Sequence, residues 1–97
     1  MYRISPSPKK EKKLRVTLPN GRTVNFGAKG YSNYTLHKNK ARRDLYLTRH
    51  RKAENWSKAG VGSAGFWARW ILWSEPSLQA AIRRTKKVLG SNIIFIH

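Results

Sequence analysis

Lys13-Leu14-Arg15-Val16-Thr17-Leu18-Pro19-Asn20-Gly21-Arg22-Thr23-Val24-Asn25-Phe26 is the stretch that decides the fold class. Leu14, Val16 and Leu18 alternate with Arg15 and Thr17, and Val24 and Phe26 alternate with Thr23 and Asn25. Period two puts the five apolar side chains on one face, and Asn20-Gly21 tolerates the positive φ of a tight turn. The stretch therefore predicts a β-hairpin with one core face and one basic, polar face. Two strands alone are marginal in water, so this ribbon needs a third strand or a helix against it.

Downstream, Asn92-Ile93-Ile94-Phe95-Ile96-His97 is a continuous β-branched and aromatic run after Gly90, short enough for a candidate strand. Between hairpin and tail the pattern turns helical. Gly27 to Asn33 reads as a loop. Asn39 to Lys52 predicts a helix whose apolar stripe is Ala41, Leu45 and Thr48, widened by Tyr46 and Leu47. Ser63 is a fitting cap for Phe66-Trp67-Ala68-Arg69-Trp70-Ile71-Leu72-Trp73, apolar around most of the helical circumference and so a central buried helix. Ser74-Glu75-Pro76 breaks and restarts the chain, with Ser74 as the expected cap of a last helix that stops at Gly90. Its Leu78, Ala81, Ile82, Thr85 and Leu89 fall at helical spacing. The expected fold is α+β: an N-terminal hairpin, with the tail as a candidate further strand, on about three helices. Upstream, Pro6, Pro8, Lys9, Lys10 and Lys12 combine breakers with like charge. Residues 1–12 are therefore expected to be a flexible basic arm and residues 13–97 a single α+β domain.

The 97 residues hold 21 Lys and Arg against 4 Asp and Glu, a net charge of +17, with no cysteine. That length supports one core, and without cysteine there is no disulfide framework, thiolate metal site or cysteine nucleophile. Four Trp, four Tyr and three Phe are too many for a disordered basic tail. The opening residues do not read as a secretion signal. The longest apolar block, Ala64 to Trp73, falls well short of the roughly 20 residues that span a bilayer, so the expectation is a protein neither secreted nor membrane-spanning. A small domain this charged repels itself unless an anionic polymer or surface neutralises it.

The best candidates for that contact are cations spaced along a rigid element, where they meet successive phosphates and release condensed counterions. The predicted helix carries Lys38, Lys40, Arg42, Arg43, Arg49, Arg51 and Lys52, with Lys38, Arg42 and Arg49 on a common solvent-facing arc. Arg15 and Arg22 extend the basic face over the hairpin, and Lys9, Lys10, Lys12 and Lys13 are expected to close over the backbone. Phe66, Trp70 and Trp73 stand at core spacing, which leaves Trp56 as the tryptophan best placed to stack on a base.

Other chemistries find little support. His37, His50 and His97 fall in three different elements, with only Glu54 within four residues of His50, so no metal site is expected. Asp44, Glu54 and Glu75 are too scattered for paired-carboxylate catalysis and are expected to meet an Arg or a helix end. Arg69, alone in its apolar helix, is expected to meet one of these acids or to emerge at the surface. Gly27-Ala28-Lys29-Gly30 lacks the phosphate-loop pattern. No catalytic residue or cofactor is assigned, and the chain is expected not to be an enzyme.

Lys13 to Arg22, Phe26-Gly-Ala-Lys-Gly-Tyr31, Tyr46 with Arg49-His50-Arg51, Glu54-Asn55-Trp56 and Gly65-Phe66-Trp67-Ala68-Arg69-Trp70 together resemble a family of short basic proteins of nucleocytoplasmic large DNA viruses, marseilleviruses among them. The resemblance covers roughly residues 13 to 85. It brings no functional residue with it and implies a setting only: a virion or cytoplasmic viral factory, where the abundant polyanion is double-stranded DNA. The sequence thus points to sequence-tolerant nucleic-acid binding, DNA favoured over RNA, for genome compaction or packaging. The alternative is a structural protein that meets an acidic protein or an anionic membrane surface, and the tail strand's free edge offers a route to a homodimer.

Overall fold

The computed structural model describes residues 1–96; His97, named above in the tail strand and among the histidines, lies outside the described residues. Four strands form one sheet in the order β3-β2-β1-β4: β1 (Tyr2–Pro6), β2 (Lys12–Thr17), β3 (Thr23–Ala28) and β4 (Ile93–Phe95). The hairpin forms as its periodicity predicts, with Leu14 opposite Phe26 and Val16 opposite Val24. Its turn closes through the Gly21 N–H to the Leu18 carbonyl at 2.9 Å, with Gly21 at φ 88. The tail run supplies β4, parallel to β1, with Tyr2 opposite Ile93 and Ile4 opposite Phe95.

The expected flexible arm over residues 1–12 is not what the chain forms. Tyr2–Pro6 is an interior strand, antiparallel to β2 and flanked on its other side by β4. Tyr2 and Ile4 are buried in the core while Arg3 and Ser5 take the other face. The prolines do not prevent this, because Pro6 ends the strand and Pro8 lies in the following turn, where no ladder N–H is required. Lys9 and Lys10 occupy that turn, and Lys12 and Lys13 already belong to β2.

Helices cover one face of the sheet. α1 (Tyr34–His37) is capped by Asn33, and α2 (Lys40–His50) by Asn39. α3 (Ala64–Trp67), capped by Ser63, runs directly into a π-helical turn over Ala68–Leu72. α4 (Leu78–Leu89) starts at a Ser77 cap and stops at Gly90, which adopts φ 63. Ser74, the expected cap, is instead fully buried, and its hydroxyl donates to the Trp70 carbonyl at 2.5 Å.

The widened turn explains why the tryptophans do not bury as their spacing suggests. A π turn accommodates an extra residue per turn and so shifts the face on which the following side chains fall. Trp67, Ile71 and Leu72 therefore join Phe66 in the core, and Trp70 and Trp73 remain half-buried at its edge. Tyr2, Ile4, Val16 and Phe26 from the sheet and Leu89 from α4 complete the core.

α2 half-buries only the Tyr46 and Leu47 part of its expected stripe. Ala41, Leu45 and Thr48 point to solvent, Leu45 being 61% exposed, and the helix has no fully buried residue. Its half-buried arc is Arg43, Tyr46, Leu47 and His50. The Tyr46 ring lies on Trp73 with centroids 4.1 Å apart, and His50 stacks on Tyr46 at 4.2 Å. Flat aromatic contact, rather than aliphatic burial, holds this helix to the body.

Candidate nucleic-acid interface

The kink that shapes the site begins at Gly27. With φ 78 at this position the end of the β2–β3 ribbon curls over the helical layer, and a Cβ there would lie 2.7 Å from Leu72 Cδ1 and 3.3 Å from Lys13 Cβ. Only a glycine accepts both the left-handed backbone and the close approach. The curl leaves a cleft of about 520 Å³ between the ribbon end, the loop at 31–33, α2 and the start of α3.

Four of the predicted cations line this cleft. Lys12 and Lys13 come from β2, and Arg42 and Arg49 come from α2, two turns apart on one face. Tyr46, Ala64, Ala68, Leu72 and Trp73 supply the apolar part of its mixed lining. The Lys13 ammonium donates to the Tyr31 carbonyl, which ties the loop to the sheet, and burial lowers its pKa. Asn33 is fixed as the α1 cap, its Oδ1 accepting from the Thr35 N–H at 3.1 Å and from the Thr35 hydroxyl at 2.5 Å.

One carboxylate, Glu54, shares the cleft lining, and its oxygens are already engaged. One lies 3.2 Å from His50 Nδ1 and the other accepts from Trp56 Nε1 at 2.9 Å. It also sits against Gly65 in the first turn of α3, where a Cβ would come within 2.6 Å of the carboxylate. Among the described residues, no acidic side chain forms an ion pair with Lys12, Lys13, Arg42 or Arg49. With four Lys and Arg side chains against one carboxylate, the cleft lining carries a net positive charge.

The other predicted contacts lie elsewhere. Lys9 and Lys10 are exposed in the turn before β2; the Lys29 N–H donates to the Glu11 carbonyl, so this turn sits beside the one at Lys29. Lys40, Arg51 and Lys52 are exposed along and just beyond α2. Arg15 is on the outer face of the sheet, its Nε 3.4 Å from Asn25 Oδ1, and Arg22 is at the hairpin tip, the opposite end of the ribbon from Lys12. That outer face carries Arg3, Ser5, Arg15, Thr17, Thr23 and Asn25 and, among the described residues, no aromatic ring to stack on a base.

Two of the predicted cations are tied into the fold. Lys38, the left-handed C-cap of α1, donates from Nζ to the carbonyls of Thr35 at 3.1 Å and Pro76 at 2.6 Å, so it does not share a free arc with Arg42. Arg43 turns inward over the Tyr34 ring and pairs with Asp44 at 3.0 Å. Trp56 is tied down as well, through its Nε1 to Glu54 and its carbonyl, which accepts from Trp70 Nε1 at 2.8 Å.

Sequence reasoning did not find the roles of Tyr31, Ser32, Asn33 and His50 in the cleft, since only the Gly27 kink and the loop path bring them there. Arg69 forms no ion pair among the described residues, although Glu75 is near enough to act on its charge. Its guanidinium lies 4.1 Å from the Trp70 ring centroid and 5.1 Å from that of Trp56, with Nε and Nη1 buried and unpartnered. Burial, then Arg84 and Arg43, lower its pKa to about 10.

Among the described residues no three His, Cys, Asp or Glu side chains gather to hold a metal, and no helix is long and apolar enough to cross a membrane. Comparison with curated proteins and with solved structures gave no match. The profile of one family matches residues 2–50, just over half of the 97, and this segment runs from β1 through α2 with all four cleft cations inside it. The chain belongs to that family, described as a family of unknown function (DUF5754).

Proposed function

We propose that this chain is a non-enzymatic, sequence-tolerant nucleic-acid-binding protein, with double-stranded DNA the favoured form. The observation that carries the reading is the convergence of Lys12, Lys13, Arg42 and Arg49 on one cleft, with no ion pair to any of them among the described residues. Lys9, Lys10, Lys40, Arg51 and Lys52 extend the positive surface over neighbouring exposed segments. Backbone contacts of this kind carry no sequence information, and the polar outer sheet face, without rings, argues against base stacking there. On the resemblance to proteins of large DNA viruses, the reading extends to compaction or packaging of a viral genome in the virion or cytoplasmic factory.

The test is fluorescence anisotropy with unrelated 20-base-pair duplexes, titrated at several salt concentrations on protein freed of nucleic acid. If about six phosphates are neutralised, log K falls against log salt with a slope of roughly −5. A flat salt dependence overturns the reading. One observation favours a second reading, attachment to an anionic membrane surface: Leu36 and Leu45 are 64% and 61% exposed beside the basic residues of α2. Flotation with anionic but not neutral vesicles, uncompeted by duplex DNA, would support it.

A further inference from the structure

A duplex, whose major groove alone is about 12 Å wide, can lie across the cationic rim of the cleft but is too bulky to enter its volume of about 520 Å³. The cleft volume falls instead in the range of roughly 300–1,000 Å³ that suits small organic ligands. Its chemistry is divided in the same way as that of such a ligand. Cationic ends of Lys12, Lys13, Arg42 and Arg49 supply donors for an anion, and Leu72, Ala64, Ala68 and the Tyr46 and Trp73 rings supply apolar surface for an attached organic body.

The donor count favours a phosphomonoester over a phosphodiester. A backbone diester carries one negative charge and offers two free oxygens, whereas a terminal monoester carries up to two charges and three strong acceptor oxygens. Lys13 spends one of its three donors on the Tyr31 carbonyl and keeps two. Arg42 and Arg49 project from α2, and neither forms an ion pair among the described residues. Glu54, the one acid of the cleft lining among the described residues, has its oxygens engaged by His50 and Trp56, which leaves the four cations without an acidic partner. Asn33, 3% exposed, has its Oδ1 occupied by Thr35, which leaves its carboxamide NH₂ as the end with donors to offer.

We infer that the cleft is a phosphomonoester site of nucleotide size, filled by the terminal phosphate and end nucleotide of a nucleic-acid strand. The inference rests on the nucleic-acid reading above and adds to it a preferred position: the protein seats on strand ends, while its outer lysines and arginines hold the adjoining backbone. The same phosphomonoester chemistry is offered by a free mononucleotide, so the test separates the two sources.

The experiment measures the binding of three probes at one salt concentration: a duplex with single-stranded overhangs ending in 5′-phosphates, the same duplex with the overhangs ending in 5′-hydroxyls, and a nucleoside 5′-monophosphate. The expected result is about tenfold tighter binding of the phosphorylated duplex, as for one added charge-assisted contact set. The preference is expected to collapse in Arg42→Gln and Arg49→Gln, both on exposed positions of α2 that leave the core intact, and in Lys13→Gln. Arg22→Gln at the hairpin tip keeps it. Equal, salt-dependent binding of both duplexes overturns the inference and leaves the nucleic-acid reading standing. Binding of the mononucleotide alone keeps the phosphomonoester site but overturns both the strand-end assignment and the nucleic-acid reading. Binding of none of the three overturns everything proposed for the cleft.

Discussion

The rings of Tyr46 and Trp73 lie 4.1 Å apart and 2° from parallel, and this contact anchors a helix that has no fully buried residue. Burial and the neighbouring Glu54 raise the pKa of the Tyr46 hydroxyl, with Arg69 opposing, so it stays protonated well beyond the ordinary tyrosine range. Losing the ring in Tyr46→Ala is expected to cost about 2–4 kcal/mol, the range for deleting a packed aromatic, and to release the wall that carries Arg42 and Arg49. Tyr46→Phe keeps the stack and is expected to cost under about 1 kcal/mol. Urea unfolding followed by tryptophan fluorescence distinguishes the two.

Ile4 is fully buried between β2 and β4 neighbours, in the segment whose sequence suggests an arm. Ile4→Ala should therefore destabilise by about 2–5 kcal/mol, as expected for a core truncation. A substitution in a free arm would leave the urea midpoint where it was.

His37 is held neutral by its surroundings. Its Nδ1 accepts from the Asn39 N–H at 2.8 Å, and desolvation first, then Arg42, lower its pKa below the ordinary 6.5. Above 6.5 the ring is neutral folded and unfolded alike, and its environment costs nothing. As pH falls through 6.5 toward the lowered folded value, the unfolded chain takes up the proton first and stability is lost, levelling off below the folded pKa. His37→Asn, which keeps an acceptor for Asn39, removes this component. Urea midpoints of the two proteins should diverge as pH falls through 6.5, with the wild type falling further.

Arg69 is a cation held against Trp70 and Trp56 with two buried N–H groups unpartnered and with Arg43 and Arg84 as like-charged neighbours. Arg69→Met retains an unbranched chain over the rings and removes the buried charge. It is expected to raise stability by about 1 kcal/mol, since an uncompensated buried polar group costs more than the cation–ring contact returns. A thermal melt showing a clear loss instead would mean that the guanidinium–tryptophan contact dominates.

The elements legible in the sequence were those whose signal is local. Leu14 to Phe26 alternates over enough residues, around an Asn-Gly turn, to fix a hairpin and its core face; Gly90 likewise ends α4. Tyr2 to Ser5 alternates too, but over only four residues beside Pro6, Pro8 and the lysines, and its strand character comes from lying between β2 and β4. The orientation of α2 was only partly legible: Tyr46 and Leu47 stand on the packed side as the stripe suggests, but Tyr46 docks by its ring face and leaves Leu45 outside. The placement of Trp70 and Trp73 depended on a π turn, which a 3.6-residue period does not reveal. The charge of the site was plain from composition. Its concavity was not, because Lys13 and Arg42 meet only when Gly27 bends the ribbon over Leu72.

Pairing Tyr2 with Ile93 makes the sheet a late event in the life of each molecule. β1, β2 and β3 can zip together from neighbouring hairpins as soon as they are synthesised, whereas β4 must find β1 across nearly the whole intervening chain, with the loop-closure cost and slowness of such long-range contacts. Until then the edge of β1 is open and its core side lacks Leu89 and Ile93. The bonds from the Tyr2 N–H to the Asn92 carbonyl and from the Ile96 N–H to the Ile4 carbonyl would be among the last made during biosynthesis. A nascent chain still short of residue 93 would therefore expose an unpaired strand edge while already carrying most of its positive charge.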